Sequence, residues 1–329
     1  MTTGYEELLP ADASREQWLR ARTLGIGGSD ASAVAGVNPW NTRFAVWLDK
    51  TGQAPEEPPT LAMRMGVLLE PVVRDLFTEE TGVAVTPMGL LRSSEHPFML
   101  VTPDGFTDDG GIFEAKTTTR WLSHEWDDDQ IPDHAEVQVQ HALAVTGRSH
   151  AWVAGLIDGR ELRVVRVERD DALIADLITL ERDFWVNHVL ANEPPGVVGD
   201  DLEYLKTRPV ERARLVVDDP ERVRELLRRR DTAKEGVRVA ESIVADIEAS
   251  LRDLAGDAAE VVTEDGEILF TVKANGTFAS SRFKAAHPDL WDELQVLRPV
   301  LDVDKLKGNY PDLYEDHRAR VLRPAPKKK

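Results

Sequence analysis

The stretch "HAWVAGLIDGRELRVVRVE" (150–168) holds two β-rich runs on either side of Asp158–Gly159, and it leaves the chain few folds to choose from. Asp-Gly between two such runs is a strong signal for a hairpin turning at Asp158–Gly159, so these residues belong to a sheet. On both sides the period changes to that of a helix. "DHAEVQVQHALAVTG" (133–147) comes before, and "DDALIADLITLERDFWVNHVLA" (170–191), closed by "NEPPG", comes after. Earlier strands are expected at about 83–91, 97–104 and 111–118, preceded by an amphipathic helix at 61–82 that stops on Gly82. Helix, sheet, helix in this order predicts an α/β core with a mixed sheet.

The rest of the chain is arranged around that core. A helix is expected at 14–24 with Ser14 as its cap, and "GIGGSDASAVAG" (25–36) reads as a glycine-rich turn opening a small-residue helix. Residues 44–52 are helical, and 53–60 form a proline-rich loop. Pro71 implies a kink or break in its helix just after Glu70. The character changes across "NEPPGVVGDD" (192–201). Apolar or small residues then recur every three or four positions from Val223 to Leu254, with Arg230 on the seam, which predicts a heptad helix at about 219–255. A hairpin at about 259–278, turning at Asp265–Gly266, and a basic tail follow. The expected division is therefore a domain at 1–198 and an α+β extension at 199–329.

Composition removes several function classes. No apolar run approaches the length of a membrane span, and the first residues lack the apolar stretch of a signal peptide. With no cysteine, disulfides, thiolate zinc sites and iron–sulfur clusters are excluded. A soluble, cytoplasmic protein is expected. The formal charge of −19 resides entirely in residues 1–204, since 205–329 hold equal numbers of acidic and basic residues. That argues against a broad phosphate-binding surface, because nonspecific nucleic-acid affinity comes mainly from Lys and Arg.

"TPDGFTDDGGIFEAKTTT" (102–119) concentrates chemistry in the expected hairpin. Side chains alternate along a strand, so Glu114 and Lys116 share a face. The turn folds Asp104 back beside them, and Asp108 and Asp109 read as turn residues. Two carboxylates suit Mg²⁺ or Mn²⁺, and an ammonium beside them can orient water and stabilise charge on a phosphate in transit. An ordinary hairpin with an exposed ion pair fits the same spacing. Glu70, on an otherwise apolar helical face, is costly to bury without a partner such as a metal. Gln138 and Gln140, in "EVQVQ", lie on the first half of their helix.

The motifs "LGIGGSDASAVAGVNPW…VWLDKTG", "RMGVLLEP", "TPDG…FEAK" and "AEVQVQHALAVTG", in this order across residues 15–195, resemble the YqaJ-type viral recombinases. These are phage and prophage exonucleases related to lambda exonuclease, within the PD-(D/E)xK superfamily. The resemblance implies a restriction-endonuclease-like core, with Asp104 and Glu114 as metal ligands and Lys116 acting on the water. It further implies Glu70 as the helical acid, Gln138 as the active-site glutamine, and Arg22 and Ser29 around a pocket for the DNA 5′-phosphate. It implies 5′→3′ digestion from duplex ends, a ring-shaped homo-oligomer such as a trimer, and a single-strand annealing protein as partner, inside the bacterial host of a phage or prophage. A ring would need only its inner channel to be basic. Two other readings remain: an endonuclease or nickase of the same superfamily, and a catalytically silent acidic scaffold or DNA mimic.

Other signals point elsewhere. His124, His134 and His141 match no compact zinc spacing. "GIGGSD" lacks the lysine of a P-loop. Trp40, Trp47, Trp121 and Trp126 are expected mostly in the core, with Trp121 and Trp126 as alternatives for stacking on DNA.

Overall fold

Helix starts and stops fall where side chains or glycines satisfy the free backbone groups. A computed structural model describes residues 4–55, 58–208, 214–272, 278–296, 300–318 and 322. The basic run at 327–329, and residues 273–277 of the expected hairpin segment, lie outside the described residues. Strand β1 (Tyr5–Leu9) leads to helix α1 (Arg15–Arg22). Ser14 and Gln17 each accept from the other's backbone N–H, which closes a capping box. Helix α2 (Gly28–Ala35) and α3 (Arg43–Lys50) follow, the latter capped by Thr42. Helix α4 (Leu61–Thr81) starts at Thr60 and stops at Gly82, whose φ of 74° is left-handed. The expected break at Pro71 does not occur, since α4 runs through it. The one carbonyl that Pro71 leaves without a helical partner belongs to Val67, on an exposed stretch of helix.

The strands are shorter than the sequence implies. The chain forms β2 (Val85–Thr86), β3 (Leu90–Ser93), β4 (Leu100–Val101), β5 (Gly105–Thr107) and β6 (Ile112–Thr118). Pro87 divides the first expected strand, and Pro97 and Pro103 confine the second, because proline cannot donate to a ladder. Helix α5 (Asp133–Thr146) ends on Gly147, and β7 (His150–Ile157) and β8 (Glu161–Glu168) follow. Their turn places Asp158 and Gly159 at φ of 49° and 66°, the left-handed pair that a tight hairpin requires. Helix α6 (Asp171–Phe184) continues as a π-turn over Trp185–Leu190, and α7 (Leu202–Thr207) closes this region.

A five-stranded mixed sheet of order β2-β5-β6-β7-β8 forms the core, with only β6 and β7 parallel. That parallel pair is joined by α5, the crossover such pairing requires. Phe113 and Ala115 point to one side of the sheet and pack with Val73 and Phe77 of α4. Ile112, on the other side, packs with Val139 and Leu143 of α5. A smaller antiparallel sheet, β1-β3-β4, and the α2–α3 layer complete this α/β core flanked by helices.

By contacts the chain divides into residues 1–205 and 206–329. The first unit runs past residue 198 because Asp201 accepts from the Thr42 hydroxyl and Tyr204 packs on Phe44. In the second unit α8 (Pro220–Ala255) matches the heptad segment, and Val223, Leu226, Val244, Ile247 and Leu251 of its seam are exposed. A hairpin of β9 (Glu260–Val262) and β10 (Ile268–Thr271) turns at Gly266. Four short helices were not anticipated: α9 (Ser280–Ala286), α10 (Pro288–Glu293), α11 (Val303–Asn309) and α12 (Pro311–Asp316). Pro288 and Pro311 at first helical positions are the readable signal for two of them. Among the described residues no helix is long and apolar enough to cross a membrane.

Gly155 of β7 tests the packing of the α5 side. A Cβ there would stand 2.5 Å from the buried Trp126 ring. Gly155→Ala is expected to destabilise the protein by about 1–3 kcal/mol through overpacking, measured as a lower urea midpoint with an unchanged slope.

Candidate active site

Strand alternation in β6 sends Glu114 and Lys116 toward α5, and Gln138 on that helix meets them. The Lys116 ammonium donates to Glu114 Oε1 and to Gln138 Oε1, each at 2.7 Å. Gln138 Nε2 in turn donates to the same Glu114 oxygen. Glu114 is buried, so this closed triangle compensates its charge inside the protein. Gln140, the other half of "QVQ", is buried and bonds Glu136, the Glu168 carbonyl and the Asp170 N–H, which makes it structural.

Asp104 stands immediately before β5, and its Oδ2 accepts from the Ala115 N–H at 2.7 Å. Glu70 of α4 faces Arg74 one turn on, at 3.7 Å, and Arg74 also donates to the Asp104 carbonyl at 3.3 Å. Arg74 was not anticipated, although its i,i+4 spacing from Glu70 is a readable signal. Burial drives the Asp104 carboxyl well above its ordinary range, and Glu114 and Glu70 add to that. The Ala115 N–H and Lys116 oppose the shift without cancelling it. Glu70 is raised too, first by burial, with Arg74 opposing and Glu114 adding.

The raised group is Asp104, pushed up by burial and by the nearby Glu114 and Glu70, and a divalent cation would relieve that, so a donor set of Asp104 and Glu114 fits Mg²⁺ or Mn²⁺. Among the described residues no three His, Asp or Glu side chains are close enough to hold an ion alone. A donor set of two carboxylates leaves positions for water and substrate phosphate.

Arg22 and Ser29 lie on adjoining elements. Arg22 pairs with Asp30 at 3.1 Å and Asp49 at 3.4 Å. Buried Lys50 reaches Asp30 at 2.6 Å and the Arg22 carbonyl at 2.8 Å. Burial would raise Asp30, but Lys50 and Arg22 outweigh it and hold the carboxyl below its ordinary value. Asp30 is therefore matched by two cations rather than presented as a free negative charge. Lys50, twenty residues away, left no local signal in the sequence. Ser29 is exposed in the first turn of α2. A Cβ on Gly28 would stand 2.8 Å from Gln138 Cγ, so the start of α2 rests directly against Gln138.

Four other expectations are resolved. Trp47 and Trp126 are buried, and Trp126 in the core is unable to stack on DNA; Trp40 and Trp121 are exposed. His141 is buried between Glu181 and the Leu100 carbonyl, each at 2.8 Å, and its imidazole is raised, since those partners and the charge of Asp30 outweigh burial. His134 lies one turn before Gln138, and burial and the Lys116 charge, against Asp133, lower it to about 4. Asp109 is more than a turn residue. Thr107, Gly111, Trp152 and His150 all donate to it, and these bonds overcome burial to hold it below the ordinary carboxylate range.

A hairpin carrying Asp104, Glu114 and Lys116 on a mixed sheet, with a helical acid before it, is the arrangement of the PD-(D/E)xK class. Residues 17–149 match the YqaJ-like viral recombinase domain. Over 324 residues the chain is 34% identical to the uncharacterized protein YqaJ of Bacillus subtilis strain 168, spanning 96% of this chain and 95% of that protein. The chain belongs to the YqaJ-like viral recombinase family. Among solved structures, an alkaline exonuclease of Laribacter hongkongensis is 27% identical, with a TM-score of 0.48, covering 58% of this chain and 96% of that one. A phage-related exonuclease of Haemophilus somnus 129PT is 14% identical, with a TM-score of 0.39, covering 53% and 99%.

The raised Asp104 carboxyl carries a sign. A carboxyl whose folded pKa exceeds its unfolded value costs stability as pH rises from about 3.8 through the folded value. In metal-free buffer at pH 8, Asp104→Asn is therefore expected to raise the Tm by a few degrees, about 2–4 °C per kcal/mol for a unit of this size. Calorimetry with and without Mn²⁺ checks this: the ion should stabilise the wild type and leave the variant unmoved.

Proposed function

We propose that the protein is a metal-dependent DNA exonuclease, hydrolysing phosphodiester bonds from duplex ends and leaving 3′ single strands for recombination. The observation that carries this reading is the contact of Lys116 with both Glu114 and Gln138, on a strand whose Ala115 N–H binds the Asp104 carboxylate. A surface ion pair would not bury Glu114 or recruit a glutamine from a separate helix. Membership of a viral recombinase family supports the same reading.

In this mechanism Asp104 and Glu114 would hold Mg²⁺ or Mn²⁺, which would supply Lewis acidity and a lowered water pKa. Lys116 gives up one of its two contacts to the attacking water or a nonbridging phosphate oxygen, and stabilises the charge that develops there. Gln138 keeps the ammonium aimed and accepts from the water as it approaches. Arg74, paired with Glu70, holds the Asp104 carbonyl from α4. The start of α2, with Ser29 exposed and Arg22 nearby, offers N–H groups and a guanidinium to a 5′-terminal phosphate. That pocket would set 5′→3′ polarity. A homotrimeric ring enclosing DNA, and delivery of the product strand to a single-strand annealing protein, extend the proposal.

The test is digestion of linear and circular duplexes, with and without a 5′-phosphate, in Mg²⁺ or Mn²⁺. Linear DNA with a 5′-phosphate should be consumed and circular DNA spared; equal cleavage of the two would favour the nickase reading. Lys116→Ala should lower the rate about a hundred- to a thousandfold, the scale for losing a preorganised charge stabiliser, with unchanged circular dichroism. Near-normal digestion by that variant would sink the assigned roles, and a wild type inert with both metals would leave the acidic scaffold.

A further inference from the structure

We propose that Trp40 is a stacking platform for the nucleobase at the DNA terminus, with His134 as its buttress. The inference rests on the nuclease reading above and names a contact that this reading lacks. Trp40 is 71% exposed, an unusual position for the largest apolar side chain. Its backbone N–H donates to the Asn38 side chain at 2.9 Å. Asn38 in turn is tied to the Ser32 hydroxyl at 2.9 Å and the Ser29 carbonyl at 3.4 Å. The loop bearing the indole is thus fastened to the first turns of α2.

The other side of the indole is defined by α5. The His134 ring meets Trp40 at 4.8 Å between centroids with an interplanar angle of 84°. An edge contact of this kind holds a ring in place while leaving most of the indole uncovered. His134 and Gln138 are four residues apart, so they share one face of α5, and the charge of Lys116 bears on His134. Through Asn38 Trp40 is tied to the turn that carries Ser29, where a terminal phosphate is proposed to sit, and through His134 to the helix that carries Gln138, where the bond is proposed to break. An aromatic face there would receive the base lying between those two phosphates.

Charge supplies an independent reason. Residues 1–204 carry the whole of the −19 formal charge, so this unit gains little from phosphate neutralisation. Stacking adds affinity without counterion release and accepts any base, because every base has a π face. A nuclease that consumes whatever sequence reaches it needs a contact of that kind.

The experiment uses a linear duplex with 2-aminopurine at its 5′-phosphorylated terminus, bound to full-length Lys116→Ala protein, and to wild type in EDTA, so that the DNA stays intact. The terminal probe should be quenched on binding, and a probe in the duplex interior should not. Adding Trp40→Ala should abolish the quench and weaken binding about tenfold, by the same factor at low and high salt, whereas Trp40→Phe should retain both. In the active protein Trp40→Ala should raise KM by a similar factor with kcat nearly unchanged. Unaltered quenching and affinity in Trp40→Ala, or equal quenching of the interior probe, would overturn the platform while leaving the nuclease standing. A wild type that neither binds nor digests the duplex would remove the nuclease reading and the platform together.

Discussion

The Lys116 ammonium, held at once by Glu114 of its own strand and Gln138 of the crossover helix, is the contact on which the rest depends. It joins the central strand of the sheet to the helix packed over it. Without the lysine, buried Glu114 would lose its ion pair while Asp104 and Glu70 remain close by. Without the glutamine, the lysine would lose the partner that fixes its direction. The parallel β6–β7 pairing and the glycine that brings α2 against α5 act upstream of this triangle, since each sets the distance between strand and helix.

A second balance of charge lies at the head of α2. Asp30 is buried, and alone it would repel any anion approaching the first turn of that helix. Lys50 and Arg22 divide its two oxygens between them, so the positive end of the helix is not offset by a bare carboxylate. The same pairing holds α1, α2 and α3 together through side chains rather than a common sheet. An acidic unit thereby keeps a locally neutral approach to its own chemistry.

The core architecture and the hairpin acids were legible because they depend on local periodicity. Asp158–Gly159 marked its turn, Gly82 and Gly147 marked helix ends, and i,i+2 spacing placed Glu114 and Lys116 on one face. What escaped has non-local causes. Prolines 87, 97 and 103 broke up strands that hydrophobicity alone would have extended. The Lys50–Asp30 pair links residues whose proximity only the tertiary fold creates. Trp40 and Trp126 have the same residue type and opposite fates, because Gly155 opens room beneath Trp126 while Trp40 meets only the edge contact of His134 among the ring contacts of the described residues. Asp109 looked like one acid of a solvated turn, yet His150 and Trp152 arrive from β7 to anchor it.

Strict alternation along β6 has a consequence for how such a hairpin can change over generations. Phe113 and Ala115 fill the core under α4, while Glu114 and Lys116 face α5. Adding or losing one residue within the strand would send the acid and the lysine into the apolar layer and two apolar groups into the site. Folding and the chemistry proposed for this strand would be lost in a single event. Length variation in this strand is therefore confined to even steps or to the turn at 108–111, where the ladder does not count residues. The reading frame of the pleat protects the proposed site as firmly as any contact within it.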